Sequence, residues 1–156
     1  MKIIFLILIL LFSTSISYSK NTDIIHDFKI TFDCKLEKIM IKNKDFNYQT
    51  FTADNIEVDK KKVLKVVAAQ PSVLTINGLS EFIDTYSDIS KDDVRIAKND
   101  TILFKNIDKE KKYSESVFLN RSTGELIHEV TKNMNTKDNE KYISFFGCNK
   151  KWKSNN

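Results

Sequence analysis

The chain has 156 residues, 41% hydrophobic and 29% charged, with 3 Gly and 1 Pro; this composition excludes a disordered acidic chain, a membrane bundle and a low-complexity segment. Its 25 basic against 21 acidic residues give a net charge of +4. The arginines are Arg95 and Arg121 and the other basic residues are lysines, whereas base and phosphate recognition favours the bidentate guanidinium fork, so nucleic acid is not an expected partner.

Met1-Lys2 carries one positive charge, Ile3 to Phe12 is an unbroken apolar run, and Ser13 to Ser19 is small and polar. The run is shorter than the ~18 residues a spanning helix needs, and Ser17 and Ser19 suit a cleavage point. Residues 1–19 therefore read as a secretory signal, and 20–156 as one domain that is periplasmic or secreted. Export makes the two cysteines informative. In an oxidising compartment Cys34 and Cys148 are expected to form a structural disulfide, since no C-x-x-C is present and one bridge is the only intramolecular option. It would close most of the mature chain into one loop, worth roughly 4–5 kcal/mol in the chain-entropy model, and would make the first and last elements neighbours.

Phe28 to Leu36 alternates strictly, with Phe28, Ile30, Phe32, Cys34 and Leu36 on one face, the pattern of a half-buried strand. Ile39-Met40-Ile41 continues it after a break. Tyr48 to Ala53 is β-favouring in composition, and Lys60-Lys61-Lys62 leads into Val63 to Val67, read as a strand. After Pro71, Val73 to Ile76 meets Asn77-Gly78, a strong hairpin signal. Leu79, Phe82, Ile83 and Tyr86 are also spaced as a helical face that Ser80 can cap, so hairpin and short helix both stand. Val94 to Ala97 and Thr101 to Phe104 flank Asn99-Asp100 as a second hairpin. In the third, Ser116 to Asn120 and Glu125 to Val130 enclose Arg121-Ser122-Thr123-Gly124, with Gly124 suited to positive φ. Tyr142 to Cys148 is the last strand, followed by a short polar tail from Asn149. Strands at this spacing without a long amphipathic helix predict an all-β, antiparallel domain, barrel-like or sandwich, closed by the disulfide.

Asn120-Arg121-Ser122-Thr123-Gly124-Glu125-Leu126, with Gly147-Cys148 downstream and the early Cys34, resembles small exported proteobacterial proteins that share an early Cys, an N-R-x-T-G-x-L hairpin and a terminal G-C. That resemblance implies a compact periplasmic β domain and no established activity. The Cys-bracketed plan also looks like the small periplasmic lysozyme-inhibitor barrels. Their reactive loop, with Ser and Gly near a Tyr, has no counterpart that can be placed here.

No G-x-S-x-G, H-E-x-x-H, P-loop or dinucleotide fingerprint occurs, so no cofactor is implied and no catalytic residue is singled out. Asp92-Asp93, Asp108 and Asp45/Asn47 lack the calcium-loop pattern and read as surface carboxylates, so no metal is expected. Asn99-Asp100-Thr101 and Asn120-Arg121-Ser122 fit a glycosylation pattern, which matters only in a eukaryotic secretory path. His26 precedes the first strand and carries no expected role. Alternation places His128 on the face of Leu126 and Val130, opposite Val117, where a histidine is more often a packed core residue than a ligand contact or general base.

Three functional expectations follow. The first is a non-enzymatic binding module for an apolar or amphipathic small molecule, or a protein partner, with His128 and Arg121 as contact residues. The second is an envelope interaction or inhibitor protein using the 121–124 loop and a basic tail, Lys150-Lys151-Trp152-Lys153, which would touch a membrane at most peripherally. The third is a small hydrolase using His128 with a nucleophile that folding supplies.

Overall fold

The structure, a computed structural model, describes residues 23–24, 28–69, 73–86, 94–98 and 100–151. Residues 1–19, which read as a signal in the sequence, and His26, Asp92, Asp93, Asn99, Trp152 and Lys153 lie outside the described residues. The elements are β1 (Asp23–Ile24), β2 (Phe28–Lys42), β3 (Gln49–Thr52), β4 (Lys61–Ala69), β5 (Val73–Asn77), α1 (Glu81–Tyr86), β6 (Val94–Ala97), β7 (Thr101–Asp108), β8 (Tyr113–Asn120), β9 (Glu125–Lys132) and β10 (Glu140–Lys151).

Among these residues the strands form one sheet in the order β1-β6-β7-β8-β9-β10-β2-β4-β5, with β3 paired to β2. The sheet curls into an antiparallel half-barrel. Strands β6 to β10 are a meander, β10 pairs back on β2, and β2 leads through β4 to β5. First and last long strands are thus neighbours, joined at Cys34–Cys148, which stand directly opposite each other with Cα atoms 4.0 Å apart. The described strand order ends at β5 and at the short β1, which adds a parallel strand to β6, so the sheet does not close through strand pairing there. Joining β2 to β10 removes two of the edges that an open meander would expose.

The concave face holds the core. Phe32, Leu64, Leu74, Ile83, Ile102, Phe104 and Leu126 are each 0% exposed, and burying a side chain of this kind contributes about 1.5–3 kcal/mol. Glu37 is a bulge: Leu36 faces Phe146 and Lys38 faces Phe145, leaving it unpaired with β10. The extra residue reverses the alternation, so that buried Ile39 joins the face of Leu36. This is the break visible before Ile39-Met40-Ile41. On the convex face Phe145, Ile127, Phe118 and Leu103 stand in register across four strands and are half-buried.

Asn77-Gly78 does not form a hairpin. Gly78 has φ +91°, and a Cβ there would meet the Val63 carbonyl oxygen at 2.1 Å, so the chain presses on β4 and enters α1. Ser80 caps that helix, its Oγ accepting the Ile83 N–H at 3.1 Å, while the Asp84 carboxylate accepts the Gly78 N–H at 2.8 Å. The 94–104 hairpin forms as expected, with Ala97 opposite Ile102. The polar tail begins later than expected. Asn149, Lys150 and Lys151 are still strand, pairing with Asp33, Phe32 and Thr31, and Lys151 Nζ lies 2.9 Å from Asp33.

Candidate functional site

Extending the alternation of β8 toward its start puts Tyr113 and Glu115 on the same inward face as Val117 and Leu119. On β9 His128 faces inward opposite Val117, as the four-residue loop predicts. Glu115 and His128 are 2% and 9% exposed, and His128 Nε2 is 2.7 Å from Glu115 Oε2. The same oxygen accepts the Ser80 hydroxyl at 2.6 Å. Tyr113 donates its phenol to Oε1. One buried carboxylate therefore gathers side chains from α1's cap, β8 and β9.

Hydrogen counting fixes the roles. Ser80 Oγ already accepts the Ile83 N–H, so its own proton goes to Glu115. With Tyr113 donating as well, the carboxylate is an acceptor throughout, and His128 is the donor through Nε2–H. Burial alone raises the pKa of Glu115, but the hydrogen bond and attraction from His128, with the Ser80 and Tyr113 hydroxyls, outweigh it and leave the group below its ordinary value. Burial and then the bond to Glu115 push the Tyr113 phenol up, which keeps it a donor. No described protein group hydrogen-bonds His128 Nδ1.

That network floors a groove of about 360 Å³. Leu36, Ile39, Leu79, Val130 and Phe146 form apolar walls, and Ser144 sits beside His128, its Cα partner on β10. At the mouth Lys62 pairs with Asp59 at 2.9 Å, and Lys132 lies over the Tyr142 ring at 5.3 Å. A larger hollow, about 540 Å³, lies near the disulfide along Lys35, Glu37, Thr52 and Asp54, but these are exposed side chains with no convergent buried polar group. The groove is the better site, because it combines apolar walls with a small fixed polar set.

Arg121 lies elsewhere, about the other end of the sheet. Its Nη2 donates to the Lys98 carbonyl at 2.7 Å, and its Cζ stands 4.2 Å from the Phe28 ring centre. Asn120 Oδ1 accepts the backbone N–H groups of Ser122 and Thr123, and Gly124 has φ +76° with its carbonyl accepting the Cys148 N–H at 2.8 Å. Asn120 to Gly124 therefore build a turn that docks on the disulfide strand. A shallow hollow of about 320 Å³ brings Arg121 to Gly124 alongside Asn149 and Lys150. His128 and Arg121 do not share a site. Glu115, Ser80, Tyr113 and Ser144 were not singled out by sequence as a group; the Tyr113-x-Glu115-x-Val117 alternation is the signal that places two of them inward.

No family model, curated protein or solved structure matches the chain.

Proposed function

We propose that the protein is an exported, periplasmic or secreted binding module that holds a small amphipathic molecule in the groove over Glu115 and His128. The observation that carries this reading is His128 itself: a buried imidazole held by Glu115 through Nε2, with Nδ1 unpartnered and apolar walls in front of it. Nδ1 is not among the described buried side-chain atoms that lack a partner, so this nitrogen is reachable from outside and is not sealed into the core. Binding is favoured over hydrolysis because the Ser80 hydroxyl gives its proton to Glu115, and Ser144, though it faces His128 across the strands, makes no described hydrogen bond to the imidazole, so neither is an activated nucleophile. The disulfide fits a compartment outside the cytoplasm.

Native mass spectrometry of the protein exported to a bacterial periplasm and purified without detergent tests this reading. The expected spectrum shows the signal removed, the disulfide formed and an added small mass that is lost on activation. Ser144→Trp, which fills the groove, should abolish the added mass while the circular dichroism stays that of a β domain. An added mass retained by that variant places the ligand elsewhere.

The hollow that joins the 121–124 loop to Lys150 favours a second reading, contact with an anionic envelope surface. Co-sedimentation with phosphatidylglycerol vesicles that falls on Lys150→Glu would support it, and sedimentation unchanged by that substitution would remove it.

A further inference from the structure

We propose that the tip of the β2–β3 hairpin, with the outer face of β2 and β10 beside it, docks on an anionic lipid surface, Tyr48 lying at the headgroup boundary and the surrounding lysines among the headgroups. This inference shares its partner class with the second reading above. It places the contact at the opposite end of the sheet from Lys150, so the two can fail separately.

The observation that carries it is Tyr48. Four described non-glycine residues have positive φ. Asn133 and Asn135 are of the type that tolerates this conformation, and Lys112 closes the tight 109–112 turn, its N–H reaching the Lys109 carbonyl at 3.3 Å. Tyr48 has φ +59°, where a bulky aromatic is an outlier and where asparagine or glycine would be less strained. Its ring does not serve the core. Tyr48 is 41% exposed, and no described group hydrogen-bonds its hydroxyl. The hairpin thus bears backbone strain to hold an amphipathic ring in solvent. Asn43 keeps the tip in one shape, its Oδ1 accepting the Asp45 and Phe46 N–H groups at 2.9 and 2.8 Å, and Phe46 packs edge-on against Phe51 with ring centres 5.5 Å apart.

The surroundings of the ring set the partner. On the outer face Lys42 stands opposite Lys141, Met40 opposite Ile143 and Lys38 opposite Phe145. Met40, Ile143 and Phe145 are half-buried. Lys42 Nζ lies 5.5 Å from the Tyr48 ring centre and Lys38 Nζ 4.7 Å from that of Phe145, the company that lysines and aromatics keep at a membrane interface. With exposed Lys44, the patch sets four lysines against two acids, exposed Asp45 and Glu129, the latter bonded to Lys141 at 2.9 Å. Glu37 and Asp54 line the hollow by the disulfide instead. The excess is positive and is carried by ammonium groups alone, which suits diffuse attraction to fluid anionic headgroups better than a fixed bidentate contact with an acidic protein site.

The test is co-sedimentation of the protein, purified from a bacterial periplasm, with phosphatidylglycerol and with phosphatidylcholine vesicles at low salt. Binding to the first is expected to be at least about tenfold tighter than to the second and to weaken as salt is raised. Tyr48→Asn should lower the partition several-fold while raising the urea midpoint, because it removes the ring and relieves the strained φ. Tyr48→Phe keeps both ring and strain and should bind nearly as the unaltered protein does. Lys44→Gln should lower the partition about fivefold, the size of one lysine near an anionic surface. Vesicle binding unchanged by Tyr48→Asn overturns the inference, since a surface that follows its lysines and ignores the ring would take any polyanion, an acidic protein included. A urea midpoint that falls in that variant also overturns it, by giving the ring a place in the fold. A loss confined to Lys150→Glu moves the membrane to the other end of the sheet and leaves only the second reading standing, whereas no sedimentation with either lipid removes both.

Discussion

Along β10 the inward-facing residues run Cys148, Phe146, Ser144, Tyr142, and along β9 they run Leu126, His128, Val130. Within two residues on each strand, close apolar packing gives way to hydroxyl and imidazole. At the disulfide end every device serves closure: Cys34–Cys148 joins first strand to last, Gly124 lets the 121–124 turn touch the Cys148 backbone, and Phe32 and Leu126 are fully buried. At the groove end β9 sets His128 against Glu115 of the neighbouring β8, a buried carboxylate with three donors, an arrangement that is costly to bury unless every partner is present. The contrast teaches that this small domain places its covalent and steric rigidity beside its polar network, and the rigid end can hold the polar end in register.

The largest effect expected at the closed end comes from the disulfide. Replacing both cysteines by alanine should cost about 4 kcal/mol, given a sequence separation of 114 residues. Urea unfolding checks this. A cost below about 1 kcal/mol would mean that strand pairing between β2 and β10, not the bond, holds that end together.

Next is Gly124→Ala, which asks for a side chain at φ +76° with its Cβ 2.0 Å from the Cys148 carbonyl oxygen. The backbone conformation alone costs about 1 kcal/mol and the clash requires a shift of the β10 backbone, so about 2–3 kcal/mol is expected from thermal or urea unfolding. A neutral outcome would show that turn and strand are not pressed together.

The groove end is broken by acid. The folded-state pKa of Glu115 lies below its ordinary value of 4.5, so the group contributes stability that is fully present above that value and is lost as pH falls through the lower, folded-state one. The unfolding midpoint should drop as the solution is taken below about pH 4.5. Exposed Asp59 and half-buried Asp108 are also lowered, by Lys62 and by the Lys111 N–H respectively, so the informative quantity is the difference from Glu115→Gln. That variant should be the less stable protein at neutral pH, by about 2 kcal/mol, and should lose less on acidification. Parallel acid profiles for the two proteins would sever the network from stability.

The two ends differ also in how far they can be read from the chain. The closed end is legible because its signals are local or covalent: strict alternation from Phe28 to Leu36, a Gly-bearing loop between two apolar runs, and a lone cysteine pair. The outcome at Asn77-Gly78 is local in cause as well, since Ser80 caps the helix and Gly78 meets β4 too closely to turn back as a hairpin. Periodicity turned His128 inward, and folding bore that out. It could not supply Glu115, because a charged residue after the exposed Lys109 to Lys112 run reads as more surface until the strand is extended back to Tyr113. Nor could it join Ser80, 35 residues away, to that carboxylate. Such a network depends on which strand sits beside which, and pairing is set by the whole sheet.

The smallest predicted effect separates the two ends most directly. Arg121→Ala removes the bond to the Lys98 carbonyl and the guanidinium face over Phe28, contacts worth about 1 kcal/mol together at a partly exposed site. Because these contacts tie the 121–124 loop to Lys98 and to the start of β2, the loss should appear as a lower urea midpoint, with the added mass seen in native mass spectrometry unchanged. Arg121→Lys should restore little of it, since an ammonium has neither the flat face that stacks on Phe28 nor a fork placed to reach Lys98. If instead the alanine variant keeps its stability and loses vesicle or partner binding, Arg121 is a recognition residue held ready by its neighbours, and the closed end carries function as well as structure.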